Sequence, residues 1–336
     1  MEKVLVVGPS WVGDMVMAQS LFKQLKQSSP ELIIDVLAPE WSKPILARMP
    51  EVRQAIVLPT NHGELKLANR WRLGVSLRSE AYTQAIVLPR SWKSALAPYA
   101  ANIPLRTGFH GEQRFIILND RRRLDKKQLD QTVKRFYALG LRADEALGDI
   151  PYPKLSVDPN NQQQLISKYQ LNRQLPAIAL MPGAEYGPAK QWPLSHFKTL
   201  AETLAENGYQ VWIIGGTKDK TAGEKIAESG KANIYNLCGS TSLSDAVDLL
   251  ALTQQAVTND SGLMHVAAAV GTFVQGIYGS SSPKYTPPLT DKHKIHSLSL
   301  ECSPCFKRNC PLGHTNCLNH IQVEAIIKGI EHAMHP

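Results

Sequence analysis

The chain has 336 residues, of which 20% are charged and 43% hydrophobic, a size and balance that suit two globular domains of about 150 residues each and exclude a disordered chain. It enters an apolar strand pattern at its start without the features of a signal peptide, and no uncharged apolar run approaches the ~18 residues of a membrane span, so a cytoplasmic location is expected. The net charge of +8 favours an acidic partner, but no recognition helix, zinc-finger spacing or aromatic RNA-binding pattern accompanies it, which sets nucleic acid aside.

In the first half, short Val/Ile/Leu runs at 3–8, 33–38, 55–58 and 85–88 alternate with helical stretches, the pattern of parallel strands covered on both faces. The phrase Gln-Ala-Ile-Val-Leu-Pro occurs at 54–59 and again at 84–89, one βα unit apart, and its prolines end both strands at the edge where open α/β sheets bind ligands. The first loop, Gly8-Pro9-Ser10-Trp11-Val12-Gly13-Asp14, has phosphate-loop spacing. Asp14 stands where a Walker loop has its lysine, so a P-loop is excluded, and the dinucleotide fingerprint is missing. Asp14 reads either as a carboxylate suited to taking a proton from a hydroxyl or as a helix-start aspartate stabilised by the dipole. Lys93, Arg106, Arg114 and Arg121-Arg122-Arg123 form an acid-poor basic segment, either a solvated face or an anion-binding one.

The pattern weakens between about 141 and 176, where four prolines surround the Asn160-Asn161-Gln162-Gln163-Gln164 cluster. The expected organisation is an N-terminal domain over 1–155, a linker over 156–175, a C-terminal domain over 176–322, and a last helix over 323–336 that packs back on the N-terminal domain. Strands are expected at 177–181, 211–214, 234–237, 256–257 and 273–278, giving two doubly wound α/β halves that face each other across a cleft.

Three loops of the second half follow strands of one sheet. The first runs from Pro182-Gly183 through Ala189-Lys190, the second is Gly215-Gly216-Thr217-Lys218-Asp219, and the third is Thr258-Asn259-Asp260-Ser261-Gly262-Leu263-Met264-His265. In the third, a short strand gives way to a helix whose first-turn amides at Ser261, Gly262 and Leu263 favour an anion, with His265 one turn on; the alternative is an Asp or Ser cap with an outward histidine. Lys190 supplies a point charge for a phosphate, and the convergence of the strand ends lets one diphosphate be shared among the loops. Further on, Cys302, Cys305, Cys310 and Cys317 have the spacing C-x2-C-x4-C-x6-C. Either a structural zinc or iron–sulfur site or reduced, locally packed thiols fit it, and disulfides are not expected in a cytoplasmic chain.

The segments Gly-Pro-Ser-Trp-Val-Gly-Asp-Met, Pro-Gly-Ala-Glu-Tyr-Gly-Pro-Ala-Lys and Thr-Asn-Asp-Ser-Gly-Leu-Met-His, in this order, resemble the lipopolysaccharide heptosyltransferases of the family 9 glycosyltransferases, over nearly the whole chain. The resemblance implies a GT-B architecture, inversion at the anomeric centre, ADP-heptose as donor, and the first heptose of the Kdo2-lipid A inner core as acceptor. It implies chemistry without a metal cofactor. By position, Asp14 matches the family's general base, while Lys190, Ser261, Gly262 and His265 match its diphosphate-binding residues, with Lys190 and His265 counted among the catalytic groups. Gly13, Asp219, Leu237, Gly239, Asp260 and Leu263 complete the implied donor site. Lys93, Arg106, Arg114 and Arg121 are the implied contacts to an anionic glycolipid acceptor, reached by peripheral association with the cytoplasmic face of the inner membrane. Heptosyltransferases I and III of the same family, a GT-B nucleotide-sugar epimerase and a non-catalytic sugar-nucleotide or anionic-lipid binding protein are the alternatives. The cysteine-rich tail departs from the family pattern.

Overall fold

The computed structural model describes residues 2–58 and 65–334, so Pro59 lies outside the described residues. The chain divides between Pro153 and Lys154 into two compact units.

The first unit is built on six strands, β1 (Lys3–Val7), β2 (Ile33–Ala38), β3 (Gln54–Val57), β4 (Gln84–Val87), β5 (Leu105–Phe109) and β6 (Asp120–Arg122), in the order β3-β2-β1-β4-β5-β6. Neighbouring strands all run parallel. The central strand Lys-Val-Leu-Val-Val is buried from Val4 onward, as a strand covered on both faces must be. Leu5, Val7, Leu37, Ala85 and Val87 form the centre of this unit's core.

The second unit repeats the plan with β7 (Ala177–Met181), β8 (Gln210–Ile213), β9 (Ile234–Asn236), β10 (Gln255–Asn259), β11 (Phe273–Tyr278) and β12 (His293–Ser297) in the order β12-β11-β10-β7-β8-β9, again all parallel. In each sheet the chain starts in the middle, steps outward through two strands, and returns to the other side of the starting strand. The direction of winding therefore reverses between β1 and β4 and between β7 and β10, and such a reversal opens a crevice at the carboxyl ends of the strands. Lys190 follows β7 and the 258–265 run spans the end of β10, so the fold brings them to the two sides of one switch point. Asp14 follows β1, at the switch point of the other sheet.

One expectation about organisation needs correction. The stretch 156–175, expected as a linker, contains the helix Pro159–Tyr169. Asp158 caps it by accepting from the Asn160 and Asn161 amides, and Pro159 sits at its first turn. The polar cluster that looked like linker is used in part for docking: Asn161 donates to Asp248 Oδ2 at 2.8 Å and Asp245 Oδ1 at 3.0 Å on the helix Leu243–Leu250. The C-terminal helix contributes to the core of the second unit, where Val323, Ile326 and Ile330 pack with Phe197, Val257 and Ile277. Its apolar stripe, spaced three and four residues apart, fits the sheet face beside it.

Candidate active site

Lys190 reaches its position through a loop fixed at both ends. Asn259, fully buried at the end of β10, donates from Nδ2 to the Pro182 carbonyl at 2.7 Å and accepts at Oδ1 from the Trp192 amide at 3.0 Å. One side-chain amide thus pins the start and finish of the loop that follows β7. Within it, Lys190 Nζ stands 2.5 Å from Asp260 Oδ2, with the lysine side chain 18% and the aspartate 5% exposed, and the ammonium also lies 5.2 Å from the centre of the Tyr186 ring. Thr286 Oγ1 is 3.5 Å from the other Asp260 oxygen.

The helix Gly262–Ala269 begins directly beside this pair, and no side chain caps it. Ser261, at the cap position, has its hydroxyl turned to Thr258 Oγ1 at 3.5 Å, and Asp260 is committed to Lys190. The simple-cap alternative therefore fails. What remains is a helix N-terminus with its dipole and first-turn amides at Gly262 and Leu263 available to an anion, next to a lysine. His265 is buried, and its Nδ1 has no hydrogen-bond partner among the described residues. Burial pushes the imidazole down to about 4, outweighing the pull of Asp260, and Lys190 adds to the depression. His265 is thus neutral at pH 7 and can donate only as an imidazole N–H.

On the neighbouring strands, Asp219 accepts from the Gly216 amide at 2.9 Å, and its carboxylate lies where a side chain at Gly183 would have to go. Burial raises its pKa. Leu237 is buried at the end of β9, and Gly239 takes φ +71° with its amide donating to the Gly215 carbonyl at 3.0 Å. These residues share the carboxyl edge with Lys190, Asp260, Ser261 and His265. Sequence reasoning gave Asn259 no role of its own; in the run after β11, the hydroxyls of Ser280 and Ser281 are buried without a partner among the described residues. The signal for Asn259 was a buried amide immediately before the acidic residue of the motif.

In the first unit, Gly13 and Asp14 lie in the first turn of the helix Val12–Ser28, Gly13 buried and Asp14 half-buried. The basic residues separate into two kinds, which corrects the acceptor assignment. Arg114 is buried, with its guanidinium donating to the carbonyls of Pro89 at 2.7 Å, Phe109 at 2.6 Å and Ser91 at 3.3 Å. Arg106 donates to Ile117 O at 2.7 Å and to Ile103 O, and lies over the Tyr99 ring. Both hold loops together and have little to offer a ligand. Lys93 is half-buried, and Arg121 is exposed with its guanidinium 5.4 Å from the Phe115 ring centre.

Among the described residues, no group of three or more His, Cys, Asp or Glu side chains stands in metal-ligand geometry, and no helix is long and apolar enough to cross a membrane. Two doubly wound parallel six-stranded sheets are the architecture of a GT-B glycosyltransferase, and the chain overlays a solved structure of Escherichia coli ADP-heptose LPS heptosyltransferase II with a TM-score of 0.89, 40% identity and 98% coverage of both chains. The family profile of glycosyltransferase family 9 (heptosyltransferase) matches residues 70–316. The chain is 48% identical to lipopolysaccharide heptosyltransferase 2 of Salmonella typhimurium and 46% identical to that of Escherichia coli K12, in each case across 97% of both chains. It belongs to glycosyltransferase family 9.

Proposed function

We propose that this enzyme transfers L-glycero-D-manno-heptose from ADP-heptose to the first heptose of the lipopolysaccharide inner core, with inversion at the anomeric carbon. The observation that carries the reading is the Lys190–Asp260 pair at the uncapped start of the helix Gly262–Ala269, and the relatives of like length named heptosyltransferase 2 support the donor and acceptor. Asp14 takes the proton of the acceptor hydroxyl, which attacks C1 of the donor heptose from the face opposite ADP. As the C1–O bond breaks through an oxocarbenium-like state, negative charge grows on the β-phosphate. Lys190, the neutral N–H of His265 and the amides of Gly262 and Leu263 stabilise that charge more than they stabilise the intact donor. Asp219, Leu237 and Gly239 lie toward the nucleoside.

This reading uses no metal ion in the chemistry; a structural metal at the C-terminal cysteines is a separate part of it. Lys93 and Arg121 are the remaining basic candidates for an anionic glycolipid, and each basic residue near an anionic leaflet adds about 1 kcal/mol of attraction, in keeping with peripheral contact at the cytoplasmic face of the inner membrane.

The test is transfer from ADP-heptose to acceptors carrying zero, one or two heptoses. Product is expected with the singly heptosylated acceptor alone. Preference for another acceptor points to heptosyltransferase I or III, and isomerised donor in the absence of acceptor points to an epimerase; either overturns the reading. Asp14→Asn is expected to lower turnover by about 10² or more while ADP affinity is kept, and wild-type turnover in that variant removes Asp14 as the base.

A further inference from the structure

The segment from Cys302 to Thr315 has no helix or strand, and its two large apolar side chains, Phe306 and Leu312, are 51% and 61% exposed. It holds three strained or unusual backbone positions close together, with φ +55° at Phe306, +74° at Gly313 and +48° at Thr315. A stretch of this length without a core of its own needs something else to order it. What it turns inward is sulfur. Cys302, Cys305, Cys310 and Cys317 line a single cavity of about 20 Å³ with Ala189 and Ser280, room for one water-sized occupant. Ser280 is 1% exposed, and its hydroxyl is without a partner among the described residues.

The same segment is bonded to the loops of the diphosphate site. Phe306 N donates to Ser280 O at 2.7 Å, and Ser303 Oγ to Gly279 O at 2.6 Å. Ala189 N donates to Arg308 O at 3.0 Å, and Tyr186 Oη to Phe306 O at 2.8 Å. The Arg308 guanidinium lies 5.3 Å from the centre of the Tyr186 ring that Lys190 also approaches. Gly187 packs on the Arg308 backbone so closely that an added Cβ would lie 2.6 Å from its carbonyl oxygen.

We propose that Cys302, Cys305, Cys310 and Cys317 bind one thiophilic metal ion, zinc or iron, as a tetrahedral tetrathiolate, and that the resulting knuckle braces the loop that carries Lys190. On binding, each thiol releases its proton to solvent and the sulfurs draw in around the ion, which converts the cavity into a closed structural site. The ion takes no part in transfer. The metal half of the proposal stands on the cysteines and their cavity; the bracing half rests on the reading of the Lys190 loop as the diphosphate site.

Protein purified without chelator is to be analysed for zinc and iron, then stripped under reducing conditions and titrated with Co²⁺. About one equivalent of metal per chain and a cobalt spectrum with thiolate charge transfer are expected, and both are to be lost in Cys310→Ser. Four free thiols that take up neither Zn²⁺ nor Co²⁺ overturn the site. For the brace, the metal-free protein is expected to be cut by trypsin at Lys307 or Arg308 and to bind ADP about tenfold more weakly, equivalent to about 1.4 kcal/mol. Metal uptake with unchanged proteolysis and ADP affinity overturns the brace and leaves the site. Metal uptake in a protein that binds no ADP in either form refutes the diphosphate reading instead.

Discussion

Removing the Lys190 ammonium separates two effects that the structure places at one point. Lys190→Ala deletes a charge proposed to act on the leaving phosphate, and it also strands the Asp260 carboxylate, 5% exposed and 2.5 Å from the missing nitrogen. Breaking a buried pair by removing one partner costs about 3–5 kcal/mol of stability, and the 18% exposure of the lysine side chain puts this pair at the lower end. Loss of one donor to a developing oxyanion costs about 10² to 10³ in rate. Asp260→Asn alone leaves a lysine that can still reach solvent and the phosphate, so it should cost less than about 2 kcal/mol in folding and leave ADP binding equal or tighter. The double variant Lys190→Ala/Asp260→Asn should regain about 2 kcal/mol of the lost stability and part of the ADP affinity, because no unpaired carboxylate then faces the nucleotide. Urea unfolding and ADP titration calorimetry on the four proteins give the cycle. Strict additivity in both measurements, or Asp260→Asn binding ADP more weakly than Lys190→Ala, refutes the reasoning.

Asn259→Ala leaves the Trp192 amide and the Pro182 carbonyl without their buried partner, so a loss of roughly 2–4 kcal/mol in urea unfolding is expected, with ADP affinity falling; unchanged ADP affinity removes Asn259 from the positioning of the loop. Acid should destabilise the protein in two stages. His265 and His296 are both held down to about 4, chiefly by burial, so the unfolded chain binds protons that the folded chain refuses, and stability falls from pH ~6.5 to ~4 by up to about 2–3 kcal/mol per pH unit. Below that, burial alone would raise the Asp35 carboxyl, but hydrogen bonds from Arg53, Tyr82 and Gln54 hold it below its ordinary value. Its contribution is complete above the unfolded value and is lost as pH falls through the folded one. A urea midpoint that stays level between pH 7 and pH 5 contradicts the histidine assignment.

The central strands could be read because a doubly covered parallel strand has to be apolar throughout: Lys3–Val7 and Ala177–Met181 announce themselves. Edge strands carry no such demand. Asp120–Arg122 reads as charge, and His293–Ser297 as a polar loop, yet each pairs with its neighbour along the backbone, and a side-chain bond adds to each pairing, Thr107 Oγ1 to Asp120 Oδ2 at 2.9 Å and His296 Nε2 to Gln275 Oε1 at 2.8 Å. The loops proposed to hold the diphosphate stood out because glycine, proline and one lysine after a strand have few other uses. The fates of Arg106 and Arg114 did not, since their partners are carbonyl oxygens of Ile117, Pro89 and Phe109, and a carbonyl acceptor leaves no trace in residue type. Asn259 was hidden for a related reason: its two partners lie 77 and 67 positions away and meet it only once β7 and β10 are side by side.

That adjacency also sets a timetable for the chain. The strands flanking each switch point pair across long separations, Val4 with Gln84 in one sheet and Ile178 with Gln255 in the other, and closing such loops is a slow, entropically costly step of folding. Each half can collapse early around its first βαβ units, but the crevice does not exist until its fourth strand arrives. A nascent chain that has not yet delivered β10 lacks Asp260, the uncapped helix start and the amide that fastens the Lys190 loop. The face proposed to bind the nucleotide is therefore among the last features to be completed as the protein is made, and a ribosome-stalled chain ending before Asn259 carries Lys190 without Asp260 or the helix start beside it.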